Sequence, residues 1–267
     1  MTTIARETVI DRSIEEVYDF FFEPGNFVLM PGVTEAKRDG DTFLLKGEEK
    51  VPVIGLESVS YKIHIDKKKR PAYISFHTED YLAASKGLWE LKEQGEETLL
   101  KYTLDYKLPF SLLGKVLDKI SMEKHMEREV EEYLDNVQKA LEKVETIMSK
   151  DVISIEQPAT ASDVISRMNE TNTRYLIVTK NSKLTGVITD GDIITKIYTE
   201  GVSQDAYIEE IMTKDPIIID PEARIIKAIN LMSAHKIRRL PVVKGSNIVG
   251  VISLTDLDQY LGLLRKR

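Results

Sequence analysis

Ile147-Met148-Ser149-Lys150-Asp151 recurs as Ile211-Met212-Thr213-Lys214-Asp215, and the offset of 64 residues then holds without a gap. Arg174-Tyr175-Leu176-Ile177-Val178 falls on Arg238-Arg239-Leu240-Pro241-Val242, and Gly186-Val187-Ile188-Thr189 falls on Gly250-Val251-Ile252-Ser253. Between 147–193 and 211–257, 18 of 47 positions are identical, so this half of the chain is an internal duplication. Each copy reads as strand, helix, strand, strand, helix. Val152–Ile155 is a short apolar run, and Ala161, Val164, Ile165 and Met168 follow helical spacing. Leu176–Val178 and Leu184–Ile188 flank an Asn181-Ser182 turn, and a helix resumes at Asp190. A copy of roughly 60 residues buries only a modest core, so the two are expected to pack as one pseudo-symmetric module.

The spaced elements resemble tandem cystathionine-β-synthase-type (CBS) domains, a Bateman module: Ile-Met, an Arg before Leu-x-Val, then Gly-Val-Ile-[Thr/Ser]-x-x-Asp, twice in order. The resemblance covers about residues 144–264, with CBS domain 1 expected at 144–202 and CBS domain 2 at 203–267. It implies regulatory clefts for an adenosine-containing ligand, AMP, ADP, ATP or S-adenosylmethionine, and a homodimer. It also implies that the backbone near Ile153 and Ile217 meets the adenine edge. Thr189 with Asp192, and Ser253 with Asp256, stand where a strand turns into a helix. A carboxylate there can accept both ribose hydroxyls, and a plain capping box is the alternative. Arg174, Arg238 and Arg239, with Lys236 assisting, are candidate phosphate ligands, against ordinary surface pairing as the alternative. The second copy carries one cation more, and Asp190 adds an acid to the first, so the site centred on Asp256 is expected to be the stronger phosphate binder.

Outside the repeat the reading changes. Residues 3–10 form a candidate strand, Ser13 caps a helix with Glu16 at the capping-box position, and Pro24-Gly25 ends it. β-type runs follow at 42–46, 51–56, 59–65, 73–78, 87–92 and 99–107, with Tyr61, Ile63 and Ile65 and then Leu100, Tyr102, Leu104 and Tyr106 alternating. From about Ser111 to Met148 an apolar stripe predicts one long helix joining the two halves. This order resembles the helix-grip fold of the START/SRPBCC superfamily, which includes polyketide cyclases and coenzyme-Q-binding proteins. The resemblance covers about 1–143 and rests also on Val9–Phe21 and Met30-Pro31-Gly32-Val33. The fold class is thus α+β: an antiparallel sheet wrapped on a long helix, followed by an α/β CBS pair. The resemblance implies a cavity for a small apolar molecule or lipid, with Phe27, Met30, Phe76, Trp89, Tyr102 and Met122 as candidate lining; simple core packing is the alternative.

Composition narrows the function classes. The 267 residues suit two domains, and 42% hydrophobic with 30% charged residues is globular usage. With no cysteine, disulfides, thiolate metal sites and cysteine nucleophiles are excluded. Residues 1–145 carry 21 Lys and Arg against 29 Asp and Glu, which disfavours nucleic acid as a partner. The basic runs Lys67–Arg70 and Arg265–Arg267 read as a solvated turn and tail. No run approaches the ~20 apolar residues of a membrane span, and the start lacks a secretory signal, so a cytoplasmic location is expected. His64, His77 and His125 lie apart in sequence with no metal or triad spacing, and Glu48, Glu49 and Asp80 do not differ from exposed charges. No catalytic residue, metal or required cofactor is expected. The leading expectation is a sensor that couples an adenosine nucleotide to an apolar-ligand domain through the long helix. A cyclase- or hydrolase-type enzyme under nucleotide control and a protein-interaction adaptor remain the alternatives.

Overall fold

The computed structural model describes residues 2–51, 55–79, 84–107 and 119–262. Residues up to Glu142 form one unit and Lys143–Tyr260 a second.

The first unit is a seven-stranded antiparallel sheet in the order β1-β7-β6-β5-β4-β3-β2. Its strands are β1 Thr2–Ile10, β2 Val33–Asp39, β3 Thr42–Val51, β4 Gly55–Lys69, β5 Tyr73–Glu79, β6 Ala84–Gln94 and β7 Glu97–Lys107. Alternation does what it should: Leu100, Tyr102, Leu104 and Tyr106 are all buried along β7, while Lys101 and Lys107 are exposed. Helix α1 (Ile14–Phe20) starts on Ser13, whose side chain accepts from the Glu16 N–H. Helix α2 (Lys119–Ala140) buries Val130, Tyr133, Leu134, Val137 and Ala140 and packs against β1 and the 3-10 turn Pro24–Leu29. Within that packing, Asn136 Nδ2 donates to Leu29 O at 3.1 Å.

Three expectations for this unit are corrected. The long helix does not reach Met148; it ends at Ala140. Beyond Glu142 the backbone is claimed by partners in the second unit: Val144 N–H donates to Ala223 O at 2.8 Å and Glu145 N–H to Pro221 O at 3.0 Å. Those bonds replace the i→i−4 ladder, so Val144 and Met148 share the helical stripe in sequence only. The part of that prediction at 111–118 lies outside the described residues. The run 51–56 is not one strand, because Val51 ends β3 and Gly55 opens β4 in register with it. Strand β2 escapes the sequence pattern because Val33 is its one buried residue; as an edge strand it keeps its charged side chains in water.

In the second unit β8 (Ser154–Glu156) runs parallel to β9 (Tyr175–Lys180), which pairs antiparallel with β10 (Lys183–Thr189). Helix α3 (Ala161–Glu170) opens on a Thr160–Asp163 capping box, and α4 (Asp190–Ile193) continues as a π-helix over Ile194–Thr199. The turn between β9 and β10 holds Asn181 and Ser182 at φ +52° and +61°, the left-handed pair that a two-residue hairpin turn requires. The second copy repeats this with α5 (Ile225–His235), β12 (Arg239–Lys244), β13 (Asn247–Ser253) and α6 (Leu254–Leu261).

The copies exchange segments. Strand β11 (Thr213–Lys214), which leads into the second copy, pairs with β10 of the first. Reciprocally, Ser149 pairs with Val251 on β13 through two backbone bonds of 2.9 Å. Two glycines make the crossing possible. A Cβ on Gly186 would lie 2.7 Å from Met212 Sδ, and one on Gly250 would lie 2.8 Å from Met148 Sδ and 2.6 Å from Ser149 O. The repeated Ile-Met and Gly-Val-Ile signatures are therefore the two sides of one contact, made twice.

Candidate functional site

The exchange frames two related clusters, each built on a strand-to-helix turn. In the first, the Asp190 N–H donates to Arg174 O at 3.3 Å, which sets Arg174 beside Thr189 and Asp192. In the second, the Leu254 N–H donates to Arg238 O at 2.9 Å and sets Arg238 beside Ser253 and Asp256. Both turns form the capping box. Asp192 Oδ2 accepts from the Thr189 N–H and hydroxyl at 2.8 and 2.7 Å, and Asp256 Oδ2 accepts from the Ser253 N–H and hydroxyl at 2.8 and 2.6 Å. Only Oδ2 is engaged in each case. Among the described residues Oδ1 of Asp192 and of Asp256 has no donor, so each carboxylate is fixed in orientation and keeps one acceptor for a hydroxyl.

The two clusters differ at three points. Arg174 Nε lies 3.7 Å from Asp190 Oδ2 on an exposed surface, so the first cluster's arginine already faces an acid. Arg238 has no such partner among the described residues, because Leu254 replaces Asp190. Arg239 lies over Tyr175, Cζ to ring centroid 5.6 Å. Tyr175 and Arg239 are the same position in the two copies, and each sits in strand register with its own cap residue, Thr189 or Ser253. Their stack joins the two clusters at the pseudo-two-fold axis. Burial pushes the Tyr175 phenol above its ordinary range, and its hydroxyl has no hydrogen-bond partner among the described residues.

The third difference lies in the backbone. The Ile177 N–H donates to Ile153 O at 3.1 Å in the first copy. The equivalent of Ile177 is Pro241, which has no N–H, and among the described residues nothing donates to Ile217 O. One replacement thus leaves a carbonyl exposed to a ligand in the second cluster only. Neither Tyr175 nor Pro241 stands out when each copy is read singly; superposing the copies at the 64-residue offset is the signal that finds them. Lys236 is assigned a backbone task, since it ends α5 in the left-handed conformation at φ +55°.

In the sheet unit, Phe27, Phe76, Trp89 and Tyr102 come together with Phe21. Trp89 lies 4.4 Å from Phe21 and from Phe76, 6.0 Å from Tyr102 and 6.4 Å from Phe27, ring centroid to centroid. Gly87 lets the Phe76 ring lie on the strand, since a Cβ there would fall 1.9 Å from Phe76 Cζ. Met30 is half-buried beside this cluster's 3-10 turn, and the Met122 side chain lies outside the described residues. Glu48 is exposed; Glu49 and Asp80 lie outside the described residues. The structure does bring His64 and His77 together as cross-strand neighbours with rings 4.9 Å apart, His77 Nδ1 lying 2.7 Å from Asp66. Among the described residues no group of three or more His, Asp or Glu has a metal-holding arrangement.

Residues 144–199 and 208–262 each match the family model described as the CBS domain. The C-terminal part of the chain is a tandem CBS domain pair. The CBS pair is 29% identical over 117 residues to the CBS domain-containing protein YhcV of Bacillus subtilis, covering 44% of this chain and 84% of that protein. It is 32% identical over 104 residues to the mitochondrial CBS domain-containing protein CBSX3 of Arabidopsis thaliana, covering 37% of this chain and 50% of that protein. Among solved structures, the CBS domain pair of protein MJ0100 in complex with 5′-methylthioadenosine and S-adenosyl-L-methionine is 26% identical, covers 44% of this chain and 97% of that one, and has a TM-score of 0.41. CBS pair proteins of this kind are regulatory modules, and no helix among the described residues is long and apolar enough to cross a membrane.

Proposed function

We propose that the CBS pair is the sensing half of a cytoplasmic regulatory protein and that an adenosine-containing ligand binds at the second cluster. Ser253, Asp256 and Arg238 are its polar contacts, and Ile217 is its adenine-side contact. The observation that carries this reading is the difference between the copies. The second cluster alone combines an oriented carboxylate with a spare oxygen, an arginine facing no acid, and a backbone carbonyl with no donor. A ribose diol, a phosphate and the amino edge of adenine match those three groups in turn. The first cluster, with its Arg174–Asp190 pair and its Ile153 carbonyl already bonded, suits a less anionic ligand or none.

In the same proposal the sheet unit is a START/SRPBCC-like helix-grip domain that holds a small apolar molecule, and the CBS pair mediates a homodimer. Because α2 stops at Ala140, coupling does not run along a continuous helix. It requires that nucleotide favour one of two states of the whole chain, binding them with different affinity. Calorimetric titration of AMP, ATP and S-adenosylmethionine into wild type, Asp256→Asn and Asp192→Asn tests the assignment. At least one ligand should bind the wild type and lose about tenfold or more in affinity with Asp256→Asn, roughly the worth of a hydrogen bond to a charged group. Binding by none of the three, or a loss confined to Asp192→Asn, overturns it.

A further inference from the structure

Trp89 is the single tryptophan of the chain and has no solvent exposure. Its ring is packed among Phe21, Phe76, Phe27 and Tyr102, yet its indole Nε1–H has no acceptor among the described residues. A buried donor left unpaired costs about 1–3 kcal/mol, and a core tryptophan ordinarily reaches a partner with that group. Phenylalanine fills similar positions elsewhere in the same cluster without that cost. The donor therefore stands where packing alone does not call for one.

We infer that Trp89 Nε1–H is the polar contact for a neutral apolar ligand that carries a carbonyl oxygen, held between the sheet and helix α2. This rests on the reading of the first unit as an apolar-ligand domain and goes beyond it by naming the ligand's chemistry. An N–H can only donate, so the ligand presents an acceptor. The neighbouring Tyr102 and Tyr133 rings meet edge to face at 6.0 Å; burial favours the neutral, protonated form of both phenols, which adds hydroxyl groups rather than charge to this interior. The buried polar residues described in this unit are Asn26, Thr98, His125 and Asn136, with no lysine or arginine to neutralise a carboxylate. The surrounding surface is aromatic and aliphatic. A ketone-like molecule satisfies the indole without bringing a charge into that surface, whereas a fatty-acid anion would be buried without a lysine or arginine partner.

The test uses the full chain and an isosteric pair, benzophenone and diphenylmethane, which differ by one carbonyl, with diphenylacetate as the anion. Affinity is read by displacement of Nile red from wild type and Trp89→Phe. The single indole N–H cross-peak in a proton–nitrogen correlation spectrum is followed alongside. Benzophenone should bind the wild type about tenfold tighter than diphenylmethane, tighter also than diphenylacetate, and move the indole proton downfield; Trp89→Phe should bring the two neutral probes level. Equal binding of the neutral pair by the wild type with an unmoved indole proton overturns the Trp89 contact while leaving the apolar-ligand reading standing. Tighter binding of diphenylacetate overturns the neutral class. No binding of Nile red or of any probe overturns the apolar-ligand reading and this inference with it. If Trp89→Phe fails to fold, the wild-type pair and the indole resonance decide alone.

Discussion

Gly250→Ala attacks the exchange of segments at a point where the geometry sets the cost. Gly250 has no left-handed backbone requirement, so the substitution adds a methyl group and little else. That methyl carbon would sit 2.6 Å from Ser149 O and 2.8 Å from Met148 Sδ. The thioether can swing aside, but the carbonyl is backbone and accepts the Val251 N–H at 2.9 Å. Reaching ordinary contact requires the Ser149 carbonyl to withdraw by several tenths of an ångström or more, which stretches that bond and its reciprocal. Overpacking of this kind costs about 1–3 kcal/mol, and a weakened backbone bond adds about 1 kcal/mol. The sum, about 2–4 kcal/mol, is a large share of a typical domain stability of roughly 5–15 kcal/mol. Urea unfolding followed by far-UV circular dichroism measures it, with hydrogen exchange of peptides around 149 and 251 as the local readout. Gly191→Ala is the internal control: its Cβ meets only Thr189 Oγ1 at 3.5 Å and it lies in helix α4, so it should leave stability unchanged or raise it by up to about 1 kcal/mol. Met148→Ala in the Gly250→Ala background should recover part of the loss, because it removes the sulfur contact and leaves the carbonyl. A Gly250→Ala protein as stable as wild type, with unchanged exchange at 149 and 251, refutes the exchanged pairing.

Pro241→Ala restores a backbone N–H opposite Ile217, so the ratio of AMP to inosine monophosphate affinity should fall roughly three- to tenfold; an unchanged ratio in calorimetry would show that Ile217 O does not read the purine edge. Tyr175→Phe deletes a buried hydroxyl with no described partner and keeps the ring under Arg239, so it should stabilise the pair by about 1 kcal/mol, whereas Tyr175→Leu, which also loses the ring, should destabilise it in the same urea assay. Burial holds the Tyr102 and Tyr133 phenols above the ordinary tyrosine value of 10.0, so the folded state binds those protons more tightly than the unfolded chain. That stabilisation is complete below about pH 10 and is lost as pH rises further, so tyrosinate absorbance from these two residues should appear together with loss of near-ultraviolet circular dichroism; ionisation with the fold intact would contradict their burial. Thr160→Ala removes one side of the Thr160–Asp163 capping box and should cost about 1 kcal/mol in the urea midpoint analysis.

Much of this molecule is written locally. The 64-residue offset, the Thr189 and Ser253 caps, the Asn181-Ser182 turn and the alternation along β7 are all short-range patterns, and short-range patterns survive reading one residue at a time. Strand β2 does not survive it, because an edge strand with one buried residue carries almost no hydrophobic period. The helix predicted to Met148 fails for a different reason. Val144 and Met148 continue the apolar stripe, but the stripe does not say which surface it meets, and the bonds to Pro221 and Ala223 end the helix from across the module. The candidate site divides in the same way. Residue types and spacing single out Asp192, Asp256, Arg174 and Arg238 in the sequence. Tertiary structure alone sets which arginine faces an acid, lays Arg239 over Tyr175, and turns Pro241 into a free carbonyl at Ile217. Each of those outcomes depends on a partner brought in from another strand or from the other copy, and such a partner leaves no trace in the spacing of the residues it meets.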